Sequence, residues 1–290
     1  MKAKKILTLL STVFVLTACG TTPTSSFVDS DSVEPHEAYD TGYYKDIYRD
    51  SAGPRLRSAL HKLVYSTHTT YITYGSMSSY GLQTDMDTEV PTKCTNFYTS
   101  KRASYGTREH VWPCANSAGL WARGDAKDPD ADDIDKASYK GGGADLFHVR
   151  PCDFDVNEAR SNSKFTVFAE GDSYEVIGDG GQYQLKYTSD HYRSEPADAW
   201  KGDIARILVY VFIHYGIGSD KYCGNLKLDN VMYRPNDEPI EFVYERLVQW
   251  NEIDPPSEQE KLRNENVMGI QGNRNPFIDY PELMRKCFNL

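Results

Sequence analysis

The chain has 290 residues and a formal net charge of −10, with 42 acidic against 32 basic side chains. An acidic surface repels polyanions, which excludes a broadly basic coat for nucleic acid. Any polyanion partner has to be met by arginines gathered in one place.

In chain order, Lys2, Lys4 and Lys5 make a basic start, and Ile6 to Leu16 is an apolar stretch too short to span a membrane. It ends in Leu16-Thr17-Ala18-Cys19-Gly20, which resembles a lipobox. Residues 1–18 are therefore read as a lipoprotein signal peptide, with Cys19 the lipidated first residue of an exported, membrane-tethered protein. An ordinary secretory signal would need the cysteine to fall at the cut by chance. Loss of the three lysines takes the formal net charge to −13. Residues 19–42 are rich in Ser, Thr, Asp and Pro and read as a flexible tether. The remaining stretch, 43–290, is about the size of one domain with a real core. No repeat is visible, and the oligomeric state is read as monomeric.

Leu56, Leu60, Leu63 and Val64 share one helical face, which predicts a helix over 55–67. The Tyr- and Thr-rich tract from Thr69 to Tyr98 lacks clear periodicity. The tyrosines of the wider stretch 65–105 suit half-buried strands, and stacking of bases is the alternative. Residues 128–144, acidic and then glycine-rich, are expected to form an exposed loop. Phe154 to Asn162 reads as a short helix, and Phe165–Phe168 and Tyr183–Tyr187 as strands. Ile204, Ile207, Leu208, Val211, Phe212 and Tyr215 make a wide apolar stripe, so 202–216 is a buried helix. Ile240, Val243, Leu247 and Trp250 mark another. Ser257-Glu258-Gln259-Glu260 is a capping box that opens a last helix. The class is α+β, with helices dominating the outer frame. Cys94, Cys114, Cys152, Cys223 and Cys287 follow Cys19; export permits disulfides, and five leave at least one thiol over.

The chemistry sits in Arg108-Glu109-His110-Val111-Trp112-Pro113, in Asp145-Leu146, and in Val156-Asn157-Glu158-Ala159-Arg160-Ser161-Asn162. Phosphodiester hydrolysis needs a base for water, a cation near the phosphoryl oxygens and help for the leaving oxygen. His110 is the natural base. Glu109 and Asn157 supply hard oxygen ligands suited to one Mg²⁺, or Mn²⁺ or Ca²⁺. Neighbours on a strand point opposite ways, so Glu109 and His110 can serve one site if the strand ends there, which Pro113 favours.

These motifs resemble the bacterial endonuclease I family, exported nucleases with a His-Me (ββα-metal) finger. The likeness extends to Lys201-Gly202-Asp203-Ile204-Ala205-Arg206 and to Gln271-Gly272-Asn273-Arg274-Asn275-Pro276-Phe277-Ile278-Asp279. It implies a His-Me finger core embedded in a mainly helical frame, with His110 as general base and Glu109 and Asn157 as metal ligands. It also implies cleavage of DNA, and of RNA too, with little sequence preference, leaving 5′-phosphates. The family uses an arginine near the leaving group, for which Arg123 is the first candidate and Arg150 the second. The family commonly carries histidine directly after the Asp-Leu pair; here Phe147 stands there and His148 follows.

The bland readings stand beside these. Asn157 could be a helix cap. Arg108, Arg160 and Asn162 are candidate substrate contacts, yet Arg160 could equally brace the motif and Asn162 could be a turn residue. Trp112 reads as core, and His148, His191 and His214 as structural. Arg206 and Arg274 are explained by ion pairing as well as by phosphate contact. Against the nuclease stands a surface lipoprotein that binds nucleic acid or a partner without cutting, or a hydrolase of another phosphate ester.

Overall fold

The structure is a computed structural model that describes residues 37–116, 120, 140–179, 182–219 and 224–290. The expected signal peptide, Cys19, most of the tether, Arg123, Cys223 and the acidic part of the 128–144 segment lie outside the described residues.

The helical frame follows from apolar spacing. Pro54 in the first turn presets the backbone of α1 (Gly53–Thr67), whose Leu56, Leu60 and Val64 are buried at i, i+4, i+8. A short helix α2 (Gly81–Thr84) lies in the Tyr-rich tract, next to a 3₁₀ segment, Tyr74–Tyr80. The central element is α4 (Lys201–Val211), buried on every side and continued by a π-helical turn, Phe212–Gly216. Its polar residues are paired inside: Lys201 with Glu195 at 2.8 Å, and Arg206 with Glu260 through two bonds of 2.8 and 2.6 Å.

Helix α5 (Glu241–Ile253) packs along α4 and buries Val243, Leu247 and Trp250. Helix α6 (Glu258–Gln271) opens with the expected box: Ser257 accepts from the Glu260 N–H, and Glu260 accepts from the Ser257 N–H. It closes on Gly272, whose φ of +92° only glycine holds without strain. It is not the last helix. Asn275 caps α7 (Pro276–Asp279), and α8 (Leu283–Phe288) follows. Elements of four and six residues are too short to carry a readable period.

The strands are short. β1 (Cys94–Thr95) pairs with β2 (Arg102–Ala103). β3 (Thr107–His110) pairs antiparallel with β4 (Val149–Cys152), setting Glu109 opposite Arg150 and His110 opposite Val149. β4 leads directly into α3 (Phe154–Arg160), so the chain forms a strand pair followed by a helix. A four-stranded sheet has the order β5-β8-β7-β6, made of β5 (Lys164–Phe165), β6 (Glu175–Asp179), β7 (Gln182–Tyr187) and β8 (Arg193–Pro196). The β5–β8 pairing is parallel and the other two antiparallel. Mixed helix and small sheets agree with an α+β class. The strand expected at Phe165–Phe168 contracts to Lys164–Phe165, and β6 and β8 carried no readable alternation.

Two further expectations fail. Gly141 to Ala144 is buried rather than an exposed loop, because a Cβ on Gly142 would lie 2.9 Å from Leu120 and 3.2 Å from the Tyr215 ring. The glycines let the backbone run beneath those side chains. The folded body also begins before residue 43: Ala38 bridges Tyr48, and Tyr39 is buried against Tyr280. As for disulfides, Cys94, Cys152 and Cys287 are buried free thiols, with burial pushing Cys94 up to about 11 and Cys287 up to about 12.

Candidate active site

Strand β3 ends at His110, and α3 supplies the reason that the end is rigid. Arg160, 1% exposed, donates to the His110 carbonyl (3.2 Å), the Val111 carbonyl (2.5 Å) and the Ser161 carbonyl (3.0 Å). Its Nε lies 3.5 Å from Glu109 Oε1, and its guanidinium covers the Phe165 ring. Both terminal nitrogens are thus directed within the protein, where they brace the strand end.

Alternation places Thr107 and Glu109 on one face of β3, about 7 Å apart, and Arg108 on the other. Glu109 is 1% exposed. The Tyr98 hydroxyl donates to its Oε1 at 2.7 Å, and Tyr98 is held for this at φ +67°, a region L residues rarely occupy. Burial raises the Glu109 pKa, opposed by Arg160 and by the Tyr98 bond. Its Oε2 takes no hydrogen bond from the described residues.

Asn157 comes to the same face from α3. Its Nδ2 donates to Thr107 Oγ1 at 3.0 Å, which fixes the amide and leaves Oδ1 as an acceptor without a donor among the described residues. The cap of α3 is Asp153, whose side chain accepts from the Asp155 N–H, so Asn157 is not the cap.

His110 is half-buried at the strand end. Its Nε2 meets the Gly143 carbonyl at 2.9 Å. Because a carbonyl only accepts, Nε2 carries the proton and Nδ1 holds the lone pair. Tyr74 stacks on the ring and His148 lies 5.5 Å from it, centroid to centroid. Burial pushes the His110 pKa down to about 3; His148, Arg108 and Arg160 add to this and the Gly143 bond opposes it. The ring is therefore neutral at ordinary pH. His148 is fixed as well. The Trp112 N–H donates to its Nε2 (2.9 Å), so its proton sits on Nδ1 and goes to the Gly142 carbonyl (2.7 Å). His148 thus ties the buried glycine run to the chain just after His110.

The arginines divide. Arg108 donates to the Tyr74 carbonyl (2.6 Å) and lies over the Tyr74 ring at 4.1 Å, half-buried on the face away from Glu109. Arg150 is buried, bonded to Asp85 at 2.9 Å and 4.0 Å from Asp203. That closed pair leaves little of it for a leaving group. Arg123, the first candidate, lies outside the described residues. Asn162 is exposed in the turn after Ser161, which has φ +49°. Arg206 and Arg274 are both in ion pairs, the latter with Asp279 and Glu265. Trp112 is fully buried core.

Sequence reading missed Tyr98, Thr107 and Gly143, which aim Glu109, Asn157 and His110 respectively. None has a local signature, since each acts across the fold. It also missed a second convergence of metal-ligand types. His68, Asp145 and His214 bring one ligand atom each within 4.8 Å, all buried. There Asp145 Oδ2 accepts from Tyr210 (2.7 Å) and Tyr215 (2.6 Å), and His68 Nδ1 meets His214 Nε2 at 2.8 Å. Mutual hydrogen bonding accounts for that cluster, whereas Glu109 Oε2 and Asn157 Oδ1 are left open for a hard cation.

Comparison with known proteins gives the family. The family model described as Endonuclease I matches residues 37–282. The chain is 34% identical to a protein of Bacillus amyloliquefaciens named extracellular ribonuclease, covering 94% of this chain and 86% of that one. It is 33% identical to the extracellular ribonuclease of Bacillus subtilis (strain 168), covering 84% and 77%. An endonuclease-1 of Buchnera aphidicola subsp. Baizongia pistaciae (strain Bp) is 26% identical over 63% of this chain and 66% of that protein.

Proposed function

Because the chain belongs to the endonuclease I family, we propose that it is a divalent-metal-dependent nuclease cutting DNA and RNA with little sequence preference and leaving 5′-phosphates. The strand pair and α3 form the His-Me finger in this reading, and the unused oxygens of Glu109 and Asn157 are the metal ligands. The donor set fits: one carboxylate and one carboxamide oxygen on a single face suit Mg²⁺, with Mn²⁺ or Ca²⁺ as alternatives. A bound cation would supply charge neutralisation at the phosphoryl oxygens and acidic water for the leaving oxygen.

The chain's own residues do the rest. His110 accepts the proton of the attacking water on Nδ1, since Gly143 keeps the other nitrogen protonated. Arg160 holds the strand end so that the base and the ligands keep their spacing. Arg108 and Asn162 are the substrate contacts in this reading, and Arg123 is the arginine assigned to the leaving oxygen. With no base-reading motif, binding goes mainly through phosphates, hence low specificity and salt sensitivity. Export, supported by the extracellular naming of the Bacillus relatives, belongs to the same proposal, and so does a lipid anchor at Cys19, which rests on the lipobox-like run alone.

The observation that carries the reading is the His110–Gly143 bond beside the open Glu109 and Asn157 oxygens. Its test is plasmid and RNA degradation by wild type and His110→Ala, with and without EDTA. Loss of cutting in the variant with its fold intact, and loss on chelation, are expected. Turnover unchanged by either treatment would overturn it.

A further inference from the structure

A cleft in the sheet region stands apart from Glu109, His110 and Asn157, with a volume of about 170 Å³. Its walls include Phe165, Tyr233, Phe242, Arg193 and Arg246, with Asp172 as its acid. Arg246, on α5, is half-buried, lies over the Phe242 ring at 5.4 Å, and makes no hydrogen bond or ion pair with any described residue. This is unusual in so acidic a chain. Arg102, Arg150, Arg206, Arg263, Arg274 and Arg285 each have a carboxylate within 3.1 Å. Glu195 is the carboxylate whose field reaches Arg246, and burial lowers the arginine's pKa. A desolvated guanidinium without an anion is costly, and binding one would remove the cost.

The other walls say which anion. Arg193 is stacked against the rings of Phe168 and Tyr233, 5.2 Å from each, and its one carboxylate contact, to Asp172, is 3.4 Å long. Tyr192, exposed at the rim, packs edge-on to Tyr233 at 6.0 Å and extends the aromatic surface outward. Aromatic faces interleaved with arginine are the chemistry that holds a base and its phosphate together. Inorganic phosphate would use the arginines alone and leave the rings idle. Phe165 links the cleft to the active site, because its ring also carries Arg160, the brace of the β3 end.

We infer that this cleft binds one nucleotide of the substrate strand away from the scissile bond, its phosphate on Arg246 and its base against Tyr233 and Phe242. The inference rests on the nuclease reading for the identity of the strand. It makes the enzyme's contact with its substrate longer than the catalytic triplet, and it favours unpaired strands, whose bases can be splayed onto rings.

The test is calorimetric titration in EDTA of wild type, Arg246→Gln and Tyr233→Ala with uridine 5′-monophosphate, uridine and inorganic phosphate. Steady-state kinetics on single-stranded RNA and on a small chromogenic phosphodiester run alongside. Gln keeps most of the stem over Phe242, so folding is preserved. Expected are nucleotide binding weakened about tenfold in each variant, a tight site for neither uridine nor phosphate alone, and a raised KM on RNA with unchanged turnover of the small diester. Nucleotide affinity equal to wild type in Arg246→Gln would overturn the inference, as would phosphate binding as tightly as the nucleotide. If wild type cut no nucleic acid, the nuclease reading would fail, while the titrations would still decide the cleft.

Discussion

Two regions of this molecule bury polar groups, and they treat them differently. In the helical frame the fully buried cations are closed by partners: Arg206 by Glu260, Asn251 and the Asp254 carbonyl, Lys201 by Glu195 and Asp198, Arg263 by Asp85. At the end of β3 two groups are held from behind, with one oxygen each left over. Glu109 is gripped at Oε1 and Asn157 at Nδ2, and the other side-chain oxygen of each takes no hydrogen bond from the described residues. Closed burial makes a scaffold; half-closed burial stores reactivity, because a desolvated donor or acceptor gains most from the partner still to come.

The largest effect should come from breaking the open side. His110→Ala is expected to lower nuclease turnover about 10²–10⁴-fold, the usual worth of a positioned base, with little change in thermal stability. An equal loss of both would place His110 in the scaffold. The reverse pattern is expected for the frame. Arg206→Ala should destabilise the fold by about 3–5 kcal/mol, read by denaturant unfolding, because it leaves Glu260 buried and unpaired. Turnover per folded molecule should stay near wild type, and a selective loss of turnover would make Arg206 part of the site.

Acid should act on the buried His68, His148 and His214 and on the half-buried His110. His110 and His214 are pushed down to about 3, His148 to about 4, and His68 is also lowered, in each case chiefly by burial. The unfolded chain, titrating near 6.5, then binds more protons than the folded one. Stability is fully present above that pH and falls as pH drops from 6.5 toward 4, by on the order of 1–2 kcal/mol per buried histidine near pH 5. Unfolding midpoints across that window measure it. Turnover should persist until unfolding sets in, since His110 stays neutral; an activity limb at pH 6–7 in folded protein would show that the ring is not held as described. The smallest effect tests the aim of a single ligand. Thr107→Val removes the acceptor of the Asn157 amide and should weaken metal binding up to about tenfold, read by metal titration, at a stability cost of about 1 kcal/mol. Unchanged metal affinity would detach Thr107 from Asn157.

Much of this was legible in the chain. Leu56, Leu60 and Val64, the stripe on α4 and the Ser257–Glu260 box are local patterns with periods of a few residues, and they fell where expected. Glu109, His110 and Asn157 could be proposed as a triplet for a related reason, since the chemistry open to each side chain follows from its own atoms. The family likeness rests on the same short runs.

What those atoms do was decided by partners far away in the chain. The tautomer of His110 depends on Gly143, the seat of Glu109 on Tyr98, and the engagement of Arg150 on Asp85. Gly141 to Ala144 look like a surface loop by composition, and only the Tyr215 ring above them puts them inside. Arg160 has the formula of a phosphate contact and becomes a brace because the β3 carbonyls reach it first. Composition and period set where apolar surface must go. Which polar atoms are consumed and which remain open follows only when contacts between distant residues close, for a hydrogen bond depends on position in space and not on distance along the chain.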